Sequence, residues 1–420
     1  MTRTVQSANL NGTVIIPPSK SLSHRAILAA ALAEGVSTIE NMVFSEDIEA
    51  TLEAIMGLGV EIMKSKNSIK IIGRGKLEAP IWPLHCNESG STLRFLIPFA
   101  CLVEGPVVFT GEGKLGTRPL DPYFDLFDKQ GIRYSYDGKL PLLVEGHLKP
   151  DTFRMPGNIS SQFVTGLMYV LPLLDGDSEI ILTSPLESRD YVELTIQVLK
   201  HFGINVETVT AEHYIIRGNQ EYRPARYRVE GDFSQSAFWI AAGLMGNGLE
   251  LTELDQNTRQ GDKRILEIAD HMGGKLQWDA GVLKVSGTRT NGAIIDASQC
   301  PDLVPIVATL AAVSSGETRI INAGRVRIKE SDRLSAICTE LNKLGANIEE
   351  GPECLVIKGV ERLTGGVVEG WNDHRIVMSL TVAAMKCDSP LTIEGSDAVR
   401  KSYPHFFDDF KALGGMIHEQ

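Results

Sequence analysis

The 420-residue chain predicts an α/β protein of two similar domains, each built from three copies of one βαβαββ unit. Two periodic phrases and one break in their beat carry that prediction. The first phrase is an amphipathic helix closing on a glycine: IEATLEAIMGLG to Gly59, PYFDLFDKQG to Gly131 and YVELTIQVLKHFG to Gly203. It returns as RILEIADHMG to Gly273, RLSAICTELNKLG to Gly345 and HFFDDFKALG to Gly414. Successive closing glycines lie 72, 72, 70, 72 and 69 residues apart. Apolar residues at helical spacing before a glycine stop mark a helix C-terminus, and a fixed period of this length marks duplicated modules.

The second phrase keeps the same beat: a polar or Gly-rich loop, then a helix of small apolar residues. Its copies are SKSLSHRAILAAAL, ESGSTLRFLIPFA, NISSQFVTGLMYV, DFSQSAFWIAAGL, PDLVPIVATLAAV and NDHRIVMSLTVAAM. With Ser21, Ser91, Ser161, Ser234, Asp302 and Asp373 as markers, the steps are 70, 70, 73, 68 and 71. Each helix leads through a turn into a short strand (VSTIENM, PVVFTGE, SEIILTS, LELTELD, ETRIINA, LTIEGSD), and strand-like segments follow each glycine-closed helix. The sixth copy ends after GMIHEQ without a second strand, while NGTVII near the N-terminus has no unit of its own. The economical assignment gives NGTVII to the last unit, so that one domain holds both chain ends. The longest step, 73, spans RGNQEYRPARYRVEGD, where the chain is expected to cross between domains. The first domain is then 18–225, and the second is 1–17 with 226–420.

Composition narrows the function. A 43% hydrophobic and 22% charged chain is expected to be globular with sizeable cores. A net charge of −12 argues against a nucleic-acid partner. It leaves room for anionic small molecules, which need only a local pocket of Lys and Arg. The six cysteines are scattered without a Cys-x-x-Cys pair, and no apolar run has the makings of a signal peptide or approaches the roughly 20 residues of a membrane span. A cytoplasmic chain with no membrane partner is expected.

Taken singly, each Ser-, Asp-, Asn- or Gly-rich loop is explained by helix capping. Symmetric repeats, however, place all these helix starts on equivalent edges, and helix N-termini attract anions through their N–H groups and dipole. Cations stand in or beside the same loops: Lys20, Arg25, Arg94, Arg118, Arg333, Arg375 and Lys401. Arginine grips phosphate or carboxylate with two parallel donors, and lysine is a point charge that can exchange a proton. The recurrence predicts an anion pocket.

The motifs PSKSLSHR, SGSTLR, GTRPL, GNISSQF, RVRIKESDRL, NDHR and RKSYP occur in this order from residue 17 to 404. Together they resemble the enolpyruvylshikimate phosphate synthases, transferases that join phosphoenolpyruvate to shikimate 3-phosphate. The resemblance implies inside-out α/β barrel domains of the enolpyruvyl transferase type, closing over the two substrates. It implies a monomer that makes a chorismate precursor without a cofactor. Lys20, Arg118, Arg333, Arg375 and Lys401 would hold phosphoenolpyruvate, with Gly90 lining that pocket. Ser21, Arg25, Ser160, Ser161, Ser188 and Lys329 would hold shikimate 3-phosphate, Gln162 would lie between the ligands and Tyr191 near the shikimate ring. Lys20, Asp302 and Glu330 would be the acid–base residues. Two departures stand out: Phe95 replaces a proline common in the family's loop after Arg94, and Arg325 stands where the family often has Asn upstream of Lys329.

Carboxyvinyl transfer explains why such residues are wanted. A hydroxyl must lose its proton as it attacks C2 of phosphoenolpyruvate, C3 must gain a proton, and the adduct must then lose phosphate and return that proton. Asp302 is the candidate for the hydroxyl proton, and Lys20 and Glu330 for the proton at C3. The plainer readings are a helix N-cap for Asp302, an i,i+3 partner of Arg333 for Glu330, and a pocket wall for His374. No His-Glu-x-x-His or paired-Cys pattern occurs, so no metal is expected. The nearest alternative is the UDP-N-acetylglucosamine enolpyruvyl transferase, which usually carries a Cys before Gly-x-Arg-Pro. The run Gly111–Pro119 has none. A Gly-x-x-x-x-Gly-Lys-Ser/Thr phosphate loop is also missing, which closes the common route to an ATP-dependent phosphotransferase.

Overall fold

A computed structural model of the chain describes residues 1–419. The chain divides into two compact units, one of Lys20–Val229 and the other of Met1–Ser19 with everything from Glu230 onward. Among the described residues there are six four-stranded sheets, three in each unit.

One repeat shows the logic of all six. Thr152–Met155 lies parallel to Ser178–Leu182, with Phe153 opposite Ile180, because a whole helix, Ser161–Val170, carries the chain back between them. His213–Ile216 then runs antiparallel to Ser178–Leu182, and Val206–Thr210 closes the edge. Alternate residues of Ser178–Leu182 are buried, so each sheet turns one face to the helices and one to water. The sheets stay separate and surround the helices.

The two helical phrases have different surroundings. In the unit holding both termini, Phe233–Met245, Val304–Ala312 and His374–Ala383 are buried at every residue and pack against one another. Gly243 instead lies against the sheet, where a Cβ would come within 2.9 Å of Val285. The counterparts in the other unit are Lys20–Leu32, Gly90–Leu96 and Ser161–Val170. The glycine-closed helices are amphipathic: Arg333–Lys343 buries Leu334, Ile337, Cys338 and Leu341 and leaves Lys343 in solvent. All six closing glycines have positive φ, from 69° at Gly131 to 97° at Gly414. Any side chain there would be strained.

The strand assignment at the N-terminus needs correction. The last repeat's sheet is completed by Arg3–Gln6, which lies between Leu391–Glu394 and Met416–Glu419. The NGTVII strand, Thr13–Ile15, instead runs parallel to Leu249–Thr252 in the fourth repeat. Arg226–Arg228 takes the matching place beside Glu34–Glu40 in the first. Wherever the chain crosses between units, the strand stays in the unit being left and its helix begins in the other. Pro17 and Pro18 cannot extend a strand ladder. Pairing there shrinks to an isolated antiparallel bridge of Pro18 with Gly231, in which the Pro17 carbonyl accepts from the Asp232 amide and the Ser19 amide donates to the Glu230 carbonyl, both at 2.8 Å.

Candidate active site

In the unit Lys20–Val229, Lys20 opens its helix and its Nζ meets Asp47 Oδ2 at 2.6 Å. Behind this pair, His24 Nδ1 meets Thr51 Oγ1 at 2.8 Å, Thr51 Oγ1 meets Thr92 Oγ1 at 2.6 Å, and Thr92 Oγ1 donates to Ser89 Oγ at 2.7 Å. Burial, with Lys20 and Arg25 nearby, holds the imidazole of His24 well below its ordinary pKa. The chain thus joins three helices, Lys20–Leu32, Glu46–Gly57 and Gly90–Leu96, through neutral groups. Gly90 begins the next inner helix, capped by Ser89. A Cβ at Gly90 would come within 2.7 Å of Arg118 Nη1. Arg94 Nη1 donates to Gln162 Oε1 at 2.9 Å, and Gln162 Nε2 donates to Ser91 Oγ at 3.0 Å. Gly90, Arg118 and Gln162 therefore share one corner. Ser160 caps Ser161–Val170, and Ser188, with φ of 54°, precedes Arg189–His201.

Arg25 is placed differently from a simple ligand. Its Nε donates to Thr195 Oγ1 at 2.9 Å, Nη1 to the Ser21 carbonyl at 2.9 Å and Nη2 to the Tyr191 carbonyl at 3.0 Å. The guanidinium lies over the rings of Phe95 and Tyr191. It braces the unit whatever else it holds.

In the other unit the charges are packed more tightly. Arg333, with 1% of its side chain exposed, binds Asp302 Oδ1 at 2.8 Å, Glu330 Oε2 at 2.7 Å and Asp373 Oδ2 at 2.8 Å. Asp302 also faces Lys329 Nζ at 3.4 Å and Arg375 Nη2 at 3.3 Å. Burial favours a neutral Asp302, but Arg375, Lys329 and Arg333 outweigh it and hold its carboxyl well below the usual range. The same contest at Asp373 is won by Arg333. Burial lowers Lys329 despite Asp302. Asp262, buried at the first turn of Phe233–Met245 where Ser234 Oγ bonds it, is pushed up to about 6 by burial and by the charge of Asp302. Lys401 Nζ donates to the Asn372 carbonyl at 2.7 Å. His374 is buried beside Asp373.

The plain reading of the loops holds at four of the six inner helices. Ser89, Ser160, Asp232 and Asp373 do cap inner helices, and cations stand at the same ends. Asp302 is no N-cap: it sits in the turn Pro301–Leu303, and its carboxylate is committed to the cations. Glu330 does pair with Arg333 at i,i+3. Sequence reasoning passed over Asp47 and Asp262 and gave Asp373 no charged partner; their partners Lys20, Ser234 and Arg333 lie 27, 28 and 40 residues away. The aspartate within NDHR was the one detectable signal, as a capping residue ahead of a helix.

Two units of three βαβαββ repeats, with cations and carboxylates gathered at inner-helix starts, define the enolpyruvyl transferase class. The chain belongs to the EPSP synthase (3-phosphoshikimate 1-carboxyvinyltransferase) family, whose model matches residues 5–410. It is 51% identical to the 3-phosphoshikimate 1-carboxyvinyltransferase of Clostridium novyi (strain NT), covering 98% of this chain and 97% of that one. Identity to the protein of the same name from Clostridioides difficile (strain 630) is 47%, covering 99% and 98%. The solved EPSP synthase of Acinetobacter baumannii superposes with a TM-score of 0.84 at 25% identity over all of both chains. No described helix is long and apolar enough to cross a membrane.

Proposed function

We infer that this protein transfers the enolpyruvyl group of phosphoenolpyruvate to the 5-hydroxyl of shikimate 3-phosphate and releases phosphate. The observation that carries the mechanism is Arg333 bound at once to Asp302, Glu330 and Asp373. Without substrate, the cations are balanced by these carboxylates. Phosphoenolpyruvate brings a phosphate and a carboxylate that compete for Arg333 and Arg375, with Arg118 and Lys401 as further donors. As the arginines turn to the ligand, their hold on Asp302 weakens and its basicity rises where the 5-hydroxyl proton must go. Glu330, released from Arg333 in the same exchange, and Lys20, seated against Asp47, serve the proton at C3. Ser21, Arg25, Ser160, Ser161, Ser188 and Lys329 hold shikimate 3-phosphate, Gln162 lies between the ligands, and Tyr191 offers a ring face. Once the arginines have turned, their donors stay aimed at the anions through the reaction and lower its barrier. The same reading makes the protein a cytoplasmic monomer.

The test is phosphate release from phosphoenolpyruvate with shikimate 3-phosphate or UDP-N-acetylglucosamine as acceptor. Release with the first and none with the second is expected. The opposite pattern overturns the reading.

A further inference from the structure

The turn before His374–Ala383 is strained, and a buried carboxylate outside the substrate residues is bonded to it. Trp371 and Asn372 both have positive φ, 54° and 50°, which is hardest on a bulky side chain such as tryptophan. The turn is tied at its ends by the Gly370 amide on the Glu394 carbonyl (2.8 Å) and the Asp373 amide on the Gly370 carbonyl (2.9 Å). A third tie comes from Glu340, two helical turns beyond Arg333 on the same helix. Its side chain is 1% exposed. It accepts from Trp371 Nε1 at 2.7 Å, from the Glu369 amide at 3.0 Å and from Lys343 Nζ at 2.8 and 3.0 Å. A carboxylate so deeply buried is tolerated only when it is bonded, and two of its donors belong to the segment entering the turn.

What the turn presents explains the arrangement. The Asn372 carbonyl receives Lys401 Nζ at 2.7 Å. Asp373 accepts from Arg333 Nε at 2.8 Å and caps the Arg375 amide at 2.9 Å. One helix thus carries Arg333 at its start and, further along, the carboxylate bonded to Glu369 and Trp371, the residues that lead into the partners of Lys401 and Arg333.

We propose that Glu340 and Trp371 are positioning residues: their hydrogen bond holds the left-handed Trp371–Asn372 turn and so sets Lys401, Arg333 and Arg375 for phosphoenolpyruvate. The proposal rests on the roles given to those three cations above. Trp371→Phe removes the indole N–H while keeping an aromatic ring, and Glu340→Gln removes the charge while keeping the shape. Each change raises KM for phosphoenolpyruvate about tenfold, the loss of one bond to a charged group, and leaves KM for shikimate 3-phosphate within about twofold. In the ligand-free protein, amides of residues 370–376 exchange with solvent about tenfold faster, while the rest of the unit is unchanged. The double variant is worse than either single one by less than the sum, because Trp371→Phe deletes the donor of the same bond that Glu340→Gln strips of its charge. Additive losses, equal rises in both KM values tracking a fall in Tm, or unaltered exchange at 370–376 would each overturn the proposal. Trp371→Phe alone decides the matter if Glu340→Gln does not fold. The exchange measurement needs no substrate, so it judges the turn even if the wild-type protein failed to release phosphate.

Discussion

Arg333→Met removes the cation on which three carboxylates converge, with 16%, 15% and 0% side-chain exposure for Asp302, Glu330 and Asp373. Asp302 keeps Arg375 and Lys329, so most of the loss falls on Asp373, left with Ser331 Oγ and the Arg375 amide, both at 2.9 Å. Breaking a buried ion pair by deleting one partner costs about 3–5 kcal/mol. At about 2–4 °C per kcal/mol for a unit of this size, Tm should fall by about 10 °C near neutral pH. The sign of the pH dependence follows from the depressed folded-state pKa values of Asp302 and Asp373. Such groups stabilise fully above the unfolded carboxylate value of about 4, and their contribution is lost as pH falls through the lower folded values. The gap between wild type and variant is therefore widest near neutrality and narrows below about pH 4. Calorimetry of the ligand-free proteins across pH reads it directly. Equal Tm values at neutral pH, or a gap of constant size down to the most acid pH at which both still fold, would refute this account of the cluster.

Lys20→Ala should lower kcat by about a hundredfold or more in the phosphate-release assay, and near-normal turnover would remove Lys20 from the proton chemistry. Gly90→Ala sets a Cβ 2.7 Å from Arg118 Nη1, so Arg118 must move. KM for phosphoenolpyruvate should rise about tenfold with little change for shikimate 3-phosphate, and an unchanged KM would take Gly90 out of that pocket. Asp262→Asn should be stabilising in a pH-dependent way: with the folded value pushed up to about 6, ionising Asp262 costs nothing below about pH 4 and the full penalty above about pH 6. A Tm difference that does not grow across that window would disprove the shift.

The parts of this protein legible in its sequence are those settled within one helix and its loop. A glycine after each amphipathic helix marks a left-handed residue, Ser or Asp before four of the six inner helices marks a cap, and the cations in or beside the loops carry the proposed anion sites. Partners brought from beyond one helix and its loop were hidden. Asp47 lies 27 residues from Lys20 and Asp373 lies 40 from Arg333. Arg25, readable as a ligand from its motif, spends donors on Thr195, 170 residues away. The repeat that Thr13–Ile15 joins and the unit that Arg226–Arg228 joins were hidden for the same reason, because a strand's own residues do not name its neighbours. Chemical role suffers most. An aspartate letter at position 302 suggests a base, yet beside three cations it is a poor one, while Asp262, with a value of about 6, looks more basic but is sealed away from solvent. Basicity here belongs to the charge balance of the whole cluster. On the proposed function, phosphoenolpyruvate changes that balance as it binds, so the acid–base assignment follows from the order in which anions claim the arginines.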